Sequence, residues 1–310
     1  MAELGRSTQA PVRELAAAVA VTYEPDERLD ALLAAVVLSV ATLVVVDNST
    51  TAAGREHAQK AAAAAGAELI VNGRNEGVAA ALNRGIDAAR ERGCTWVLTL
   101  DQDSVAIADI VAAASRAWGA CPIRERLAVI GAAFTSELSP ATADDPASVR
   151  RTWRRERAVI TSGSLVAVEP WAALGGFRED LFVDYVDIEY CLRAVDAGYG
   201  VISSLEPTMA HASGHRSRNR LVARDVTPTH HSALRRYYIT RNRIETWRRF
   251  GRTQPRFVAR DIVESAKELV KLALFEEDRV AKGQAVFHGS IDGLLGRMGP
   301  RGADSGRRRA

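Results

Sequence analysis

Cysteine is scarce in this chain: Cys94, Cys121 and Cys191 stand far apart, and none belongs to a Cys-x-x-Cys pair. That spacing argues against a structural zinc site and a disulfide framework, and it suits a reducing cytoplasm. Long apolar runs are missing as well. The longest, residues 31–46, falls short of the ~20 residues a bilayer-spanning helix needs, and it changes from Ala/Leu-rich to Val-rich before Asp47. It reads as a helix followed by a strand of a soluble protein. Residues 1–12 lack the charged, apolar and cleavage regions of a secretion signal. Neither the Gly-x-Gly-x-x-Gly fingerprint nor the Walker P-loop occurs, which excludes the ordinary dinucleotide and P-loop sites. No platform of interleaved aromatic and basic residues is present, so nucleic acid is not an expected partner.

What the chain does contain is a globular composition, with 47% hydrophobic and 25% charged residues over 310 positions. This suffices for one large α/β domain with an extension, or for two modest domains. The net charge is only +3 but unevenly placed: five arginines lie within 150–157, more follow between Arg216 and Arg256, and the chain closes on Arg307, Arg308 and Arg309. Such clusters suit an anionic lipid surface or a phosphorylated substrate, or simply a solvated face.

Strand and helix patterns alternate through the first hundred residues. Strands are expected at 16–21, 42–46, 68–71 and 96–100, and helices at 26–39, 54–66 and 78–92, which predicts a doubly wound, largely parallel sheet with its strand ends on one rim. Further expectations are a helix at 107–118, a strand at 128–134, a flexible polar loop through Pro146, a β-hairpin region within 152–168, and a helix from Asp184 to Ala197. Helices carrying mixed basic and apolar residues follow from about Thr229, with a boundary near Thr227 and Pro228.

The most informative segment is Trp96-Val97-Leu98-Thr99-Leu100-Asp101-Gln102-Asp103-Ser104. A buried strand stops in two carboxylates one residue apart, at the sheet edge where α/β proteins keep their chemistry. Two hard oxygen ligands so spaced can hold Mg²⁺ or Mn²⁺, and the ion can grip a diphosphate. The plainer alternative is that Asp103 and Ser104 cap the following helix. Earlier strands end at Thr22-Tyr23 and at Asp47-Asn48-Ser49, where backbone amides and one carboxylate can face a nucleobase, with Asp47 accepting from a ring N–H. Asn75, Gly77 and Asn83 frame a run of small residues that lets backbone approach a ligand. In Asp184-Tyr185-Val186-Asp187-Ile188-Glu189, Asp184 suits a helix cap, whereas three acids in six residues exceed what capping requires. Carboxylates at a helix N-terminus stay ionised, as a general base must.

In series, these motifs resemble the inverting family 2 glycosyltransferases of the GT-A fold, most closely bacterial dTDP-rhamnosyltransferases. The resemblance runs over about 16–250 and includes Ser162-Gly163-Ser164, Asp187 through Arg193, and Arg236 to Arg243. It implies a Rossmann-like, mostly parallel central sheet flanked by helices, in a GT-A domain over 15–227. Residues 1–14 would be a flexible N-terminus, 228–298 a C-terminal helical extension, and 299–310 a basic disordered tail. It also implies transfer of a sugar from a nucleoside diphosphate donor, dTDP-L-rhamnose by preference, to a glycan or polyprenyl-linked glycan acceptor. By the same resemblance, Asp187 is the catalytic base. Thr22, Tyr23, Asp47, Asn75, Gly77, Asn83, Asp101, Gln102 and Arg241 would meet the nucleotide sugar, although Arg241 equally suits packing. Ser162, Gly163 and Glu189 would lie on the acceptor side, and Asp101, Asp103 and His211 would hold Mg²⁺ or Mn²⁺, with His215 as the rival to His211. The implied setting is the cytoplasm, with a peripheral position on the anionic inner face of the plasma membrane as a further expectation and an oligomer left open. Alternatives are a galactofuranosyl or other hexosyl transferase using a UDP-sugar, a sugar nucleotidyltransferase, a glycoside hydrolase working through Asp101 and Asp187, and a non-catalytic nucleotide-sugar-binding relative.

Overall fold

The computed structural model describes residues 9–135, 152–210, 219–221, 224–226, 231–276 and 278–301. The loop expected through Pro146, His211, His215 and residues 302–310 of the basic tail lie outside them. Two compact units emerge over the described residues: Met1–Arg178 with Tyr190–Ala212, and Glu179–Glu189 with Ser213–Ala310.

In the first unit, β1 (Ala16–Thr22), α1 (Glu27–Val36), β2 (Thr42–Asp47), α2 (Ala52–Ala64), β3 (Glu68–Val71), α3 (Val78–Glu91) and β4 (Trp96–Asp101) alternate as the sequence pattern predicts. There follow β5 (Val105–Ala106), α4 (Ile110–Ala120), β6 (Leu127–Phe134), β7 (Trp153–Arg155), β8 (Ser164–Ala167), α5 (Val168–Ala173) and β9 (Gly200–Ala210). The main sheet runs β3-β2-β1-β4-β8-β6-β9-β5, with β7 also on β9. The ladders joining β3, β2, β1 and β4, and the one between β6 and β9, are parallel; those of β8 with β4 and β6, and of β5 and β7 with β9, are antiparallel. Every residue of β1 is buried, which explains why the strand reads as a continuous apolar run without alternation.

Helix starts follow local hydrogen bonding. Asp26 caps α1 through the Arg28 N–H, Thr51 caps α2 through the Gly54 N–H, and Asp109 caps α4 through the Ala112 N–H. The last of these corrects the sequence expectation: the helix begins at Ile110, its cap is Asp109, and neither Asp103 nor Ser104 serves it. The expected hairpin within 152–168 is also corrected, because β7 pairs with β9 while β8 lies between β4 and β6.

The second unit is built on α7 (Ala233–Phe250), α8 (Pro255–Phe275) and α9 (Arg279–Leu295), with a small ladder of β10 (Asn219–Leu221) and β11 (Arg224–Val226). Helices α7 and α9 approach closely at Gly289 and Gly293, where a Cβ would stand 2.6 Å from the carbonyl oxygens of Tyr237 and Arg241. A buried ion cluster joins Arg236 to Glu276 at 2.5 Å and Glu276 to Lys282 at 3.0 Å. The helix α6 (Val186–Asp196) begins in this unit. Among the described residues, no helix is long and apolar enough to cross a membrane.

Candidate active site

Three parallel strands of the first unit end side by side. Thr22 stands in register with Asp47, and Val21 with Asp101, so a hydroxyl and two carboxylates share the carboxyl rim where α/β sheets receive ligands. Asp47 is fully buried. Its Oδ1 accepts from Thr22 Oγ1 at 2.8 Å, Ser49 Oγ at 2.6 Å and the Ser49 N–H at 3.2 Å. Its Oδ2 is buried with no hydrogen-bond partner among the described residues. Leaving a buried carboxylate oxygen unpaired is costly, and this one, at a strand end, is suited to a donor that the described residues do not supply.

Around this carboxylate the loops are locked by side-chain amides and hydroxyls. Asn48 donates to the Gly77 carbonyl at 3.1 Å and accepts from Asn72 Nδ2 at 2.8 Å and the Glu76 N–H at 3.3 Å. Asn75 Oδ1 accepts the Gly77 N–H at 2.9 Å. Gly77 has φ +88° just before α3, a backbone setting that favours glycine. After β1, the Tyr23 N–H donates to Gln102 Oε1 at 2.7 Å, tying the first strand-end loop to the acidic turn. Glu24, with φ +47°, accepts from the Thr51 and Thr50 hydroxyls and from both N–H groups. The Thr51 hydroxyl above all, with help from Thr50, holds the Glu24 carboxyl down to a pKa of about 2.

The acidic turn has its own scaffold. The Ser104 N–H donates to the Asp101 carbonyl, Ser104 Oγ accepts the Asp101 N–H, each at 3.0 Å, and Ser104 Oγ lies 2.6 Å from Ser162 Oγ. The Gly163 N–H donates to the Thr99 carbonyl at 2.8 Å. Ser162 and Gly163 thus adjoin the strand that delivers Asp101. Asp103 is half exposed and lies 3.6 Å from Arg28 Nη1. Asn83, expected at the nucleotide sugar, holds the loop before Arg178: its amide donates to the Phe177 carbonyl at 2.9 Å and accepts the Phe177 N–H at 2.8 Å and Trp171 Nε1 at 3.2 Å.

In the second unit, Asp187 occupies the first turn of α6, its Oδ1 accepting the Ile188 N–H at 2.8 Å. The segment ahead of it carries three non-glycine residues at positive φ: Phe182 at +67°, Asp184 at +57° and Tyr185 at +64°, each costing about 1 kcal/mol or more. Burial pushes the Tyr185 phenol pKa up; its hydroxyl donates to Asp261 at 3.0 Å and accepts from Arg243 Nε. Asp184 pairs with Arg235 at 3.0 Å.

Glu189 and Arg241 both lie in the interior of this unit. Glu189 is buried beside Arg249, with Oε1 3.7 Å from Nε. Arg241 is an interior residue: it donates to Asn242 Oδ1 and to the carbonyls of Gly299, Asp180 and Leu181, and its guanidinium lies over the Tyr237 and Tyr238 rings. Sequence reasoning missed the scaffolding by Ser49, Glu24 and Asn242. For Asn242, the available signal was an amide inside a helix, where a polar residue needs a partner.

The chain has known relatives. Residues 18–112 match the family described as Glycosyl transferase family 2. Over 189 residues the chain is 30% identical to dTDP-rhamnosyl transferase RfbF of Shigella flexneri; the match takes in 56% of this chain and spans 60% of that relative's length. In fold it is similar to mannosyltransferase PcManGT from Pyrobaculum calidifontis, solved in complex with GDP-Man and Mn²⁺, with a TM-score of 0.59 and 15% identity over 93% of this chain and 89% of that one. It is also similar to GalNAc-T7, solved with UDP, GalNAc and Mn²⁺, with a TM-score of 0.50 and 14% identity over 64% of this chain and 43% of that one. The fold is thus the GT-A type expected from the sequence.

Proposed function

We propose that this chain, whose residues 18–112 match Glycosyl transferase family 2, moves L-rhamnose from dTDP-L-rhamnose to a hydroxyl of a glycan or lipid-linked glycan, in cell-wall or surface polysaccharide synthesis. The observation that carries this reading is Asp47: a buried carboxylate at a strand end, with Oδ1 saturated and Oδ2 unpartnered. A pyrimidine ring N–H is the donor such an atom suits. Thr22, Tyr23, Asn75, Gly77, Asp101 and Gln102 line or brace the same rim. The identity to a dTDP-rhamnosyl transferase supports the choice of donor.

The residues fit a divalent cation. Asp101 and Asp103 offer hard anionic oxygens one residue apart, and Asp103 is half exposed with a long 3.6 Å contact to Arg28. Mg²⁺ is usually held by one or two carboxylates, with substrate phosphates and water completing its shell. A third protein ligand is therefore not required of the described residues, among which no cluster of three ligating groups occurs; His211 is the further ligand we propose. When bound, Mg²⁺ or Mn²⁺ supplies positive charge to the departing diphosphate.

Asp187, ionised at the start of α6, takes the proton of the acceptor hydroxyl, a role typically contributing ~10²–10⁴-fold. The acceptor oxygen attacks the anomeric carbon as the bond to the diphosphate breaks. One displacement inverts the configuration without an enzyme nucleophile. Ser162 and Gly163 stand on the acceptor side.

The reaction is placed in the cytoplasm, at the inner face of the plasma membrane. On α8, Ile262, Val263, Leu269, Val270 and Leu274 are exposed, and Arg256, Arg260, Lys267 and Lys271 stand on the same helix, a pairing that supports contact with anionic lipid. Transfer is tested by incubating the protein with dTDP-L-rhamnose, Mn²⁺ and a panel of alkyl glycosides. Release of dTDP with a rhamnoside of inverted anomeric configuration in the NMR spectrum is the expected result. Retained configuration would refute the single displacement, and transfer only from a UDP-sugar would refute the donor.

A further inference from the structure

The buried amide of Asn242 has an unusual set of partners. Its Nδ2 lies 2.9 Å from the Leu181 carbonyl oxygen, 2.7 Å from that of Val183 and 2.9 Å from that of Asp184. An amide nitrogen carries two protons, so three acceptors share two donors, and all three belong to one short segment. The neighbours of Asn242 on α7 work on the same stretch. Arg241 Nη2 donates to the carbonyls of Asp180 and Leu181, at 3.3 and 3.0 Å, and Arg243 Nε donates to the Tyr185 hydroxyl. This is the segment that holds Phe182, Asp184 and Tyr185 at positive φ. Left-handed backbone at non-glycine residues persists only where the surroundings over-determine it, and here the surroundings are the Arg241-Asn242-Arg243 triplet.

The strained segment leads directly into α6. Because the Asp187 carboxylate is tied to the backbone by the Ile188 N–H at 2.8 Å, the backbone setting of the turn becomes the setting of the carboxylate. We infer that Asn242 is a positioning residue for Asp187, holding the left-handed turn that aims the base; this rests on the reading of Asp187 as the base. Packing alone would not call for this arrangement, since an apolar side chain at 242 would fill the space but take the amide donor away from the Val183 and Asp184 carbonyls and one of the donors from that of Leu181.

The first test is hydrogen exchange on the full chain with Asn242→Ala. Amides of residues 182–189 are expected to lose protection while those of β1, β2 and β4 keep theirs. Unchanged protection at 182–189 would overturn the inference. The second is a kinetic cycle with dTDP-L-rhamnose and an alkyl glycoside acceptor. Asn242→Ala is expected to lower kcat by roughly 10- to 100-fold, the scale of a misplaced catalytic group, with the donor KM within about twofold. In the Asp187→Asn background, the same change is expected to have no further effect, because the group it positions has gone. An additive loss in that background, or a loss confined to KM, would overturn the positioning role while leaving the base intact. Full turnover by Asp187→Asn alone would instead refute the base assignment, so the two failures are distinguishable. If Asn242→Ala does not fold, Asp184→Gly is added to relieve the left-handed backbone; the double variant is expected to fold and remain slow, and normal turnover by it would also overturn the inference.

Discussion

Replacing Asp47 by Asn separates what this carboxylate does for the fold from what it does for a ligand. An amide oxygen in the Oδ1 position can still accept from Thr22, Ser49 Oγ and the Ser49 N–H, so the loop after β2 keeps its bonds. The amide nitrogen takes the Oδ2 position, which has no partner among the described residues. Stability should change little, since one buried unpaired polar atom replaces another and a buried charge disappears. Donor binding should change greatly. The ring N–H of a thymine or uracil would meet an N–H where it had met a carboxylate, losing a charge-assisted hydrogen bond of about 1.5–3 kcal/mol, which is a roughly 10- to 150-fold rise in Kd. The assay is calorimetric titration of both proteins with dTDP and with N3-methyl-dTDP, alongside thermal unfolding. Wild-type protein is expected to discriminate strongly between the two nucleotides, and Asp47→Asn to discriminate weakly. Equal affinity of wild type and variant for dTDP would refute the role of Oδ2 as the base acceptor.

Further outcomes follow from the same geometry. Asp187→Asn should bind donor nearly as wild type does, yet turn over ~10²–10⁴-fold more slowly, as read by dTDP release. Asp103→Ala should abolish the Mn²⁺ dependence of dTDP binding while leaving the thermal midpoint nearly unchanged, because this half-exposed carboxylate makes a long 3.6 Å contact to Arg28. Gly85→Ala would place a Cβ 2.3 Å from Val19 Cγ1 and should destabilise the fold by about 1–3 kcal/mol through overpacking, measured by denaturant unfolding. Glu24, with a folded pKa lowered from 4.5 to about 2, should contribute stability that is fully present above pH 4.5 and lost as pH falls from there towards 2. In thermal scans, the gap between wild type and Glu24→Gln should therefore narrow across that window.

The strands and helices around the rim were legible because each carries a local pattern: apolar runs ending in Asp47 and Asp101, capping residues at Asp26 and Thr51, and amphipathic spacing in α3. The helix after the acidic turn starts later than its pattern suggests: Val105 and Ala106 pair with β9, and Asp109 caps α4. The roles of Asn83 and Arg241 depend on partners far away in sequence, Phe177 and Trp171 for one and Asp180, Leu181 and Gly299 for the other, which no local pattern announces. The same holds for Asn242 and its three carbonyls. Asp47 was legible as a rim carboxylate, but the inequality between its two oxygens comes from Thr22 and Ser49 together and is visible only in three dimensions.

The most direct test of the account is a calorimetric screen of dTDP-L-rhamnose, UDP-galactofuranose, UDP-glucose and GDP-mannose, each with and without Mn²⁺. The account predicts tight, Mn²⁺-dependent binding of dTDP-L-rhamnose and weaker binding of the other three. Binding of none of the four, or binding that ignores both the base and the metal, would contradict it.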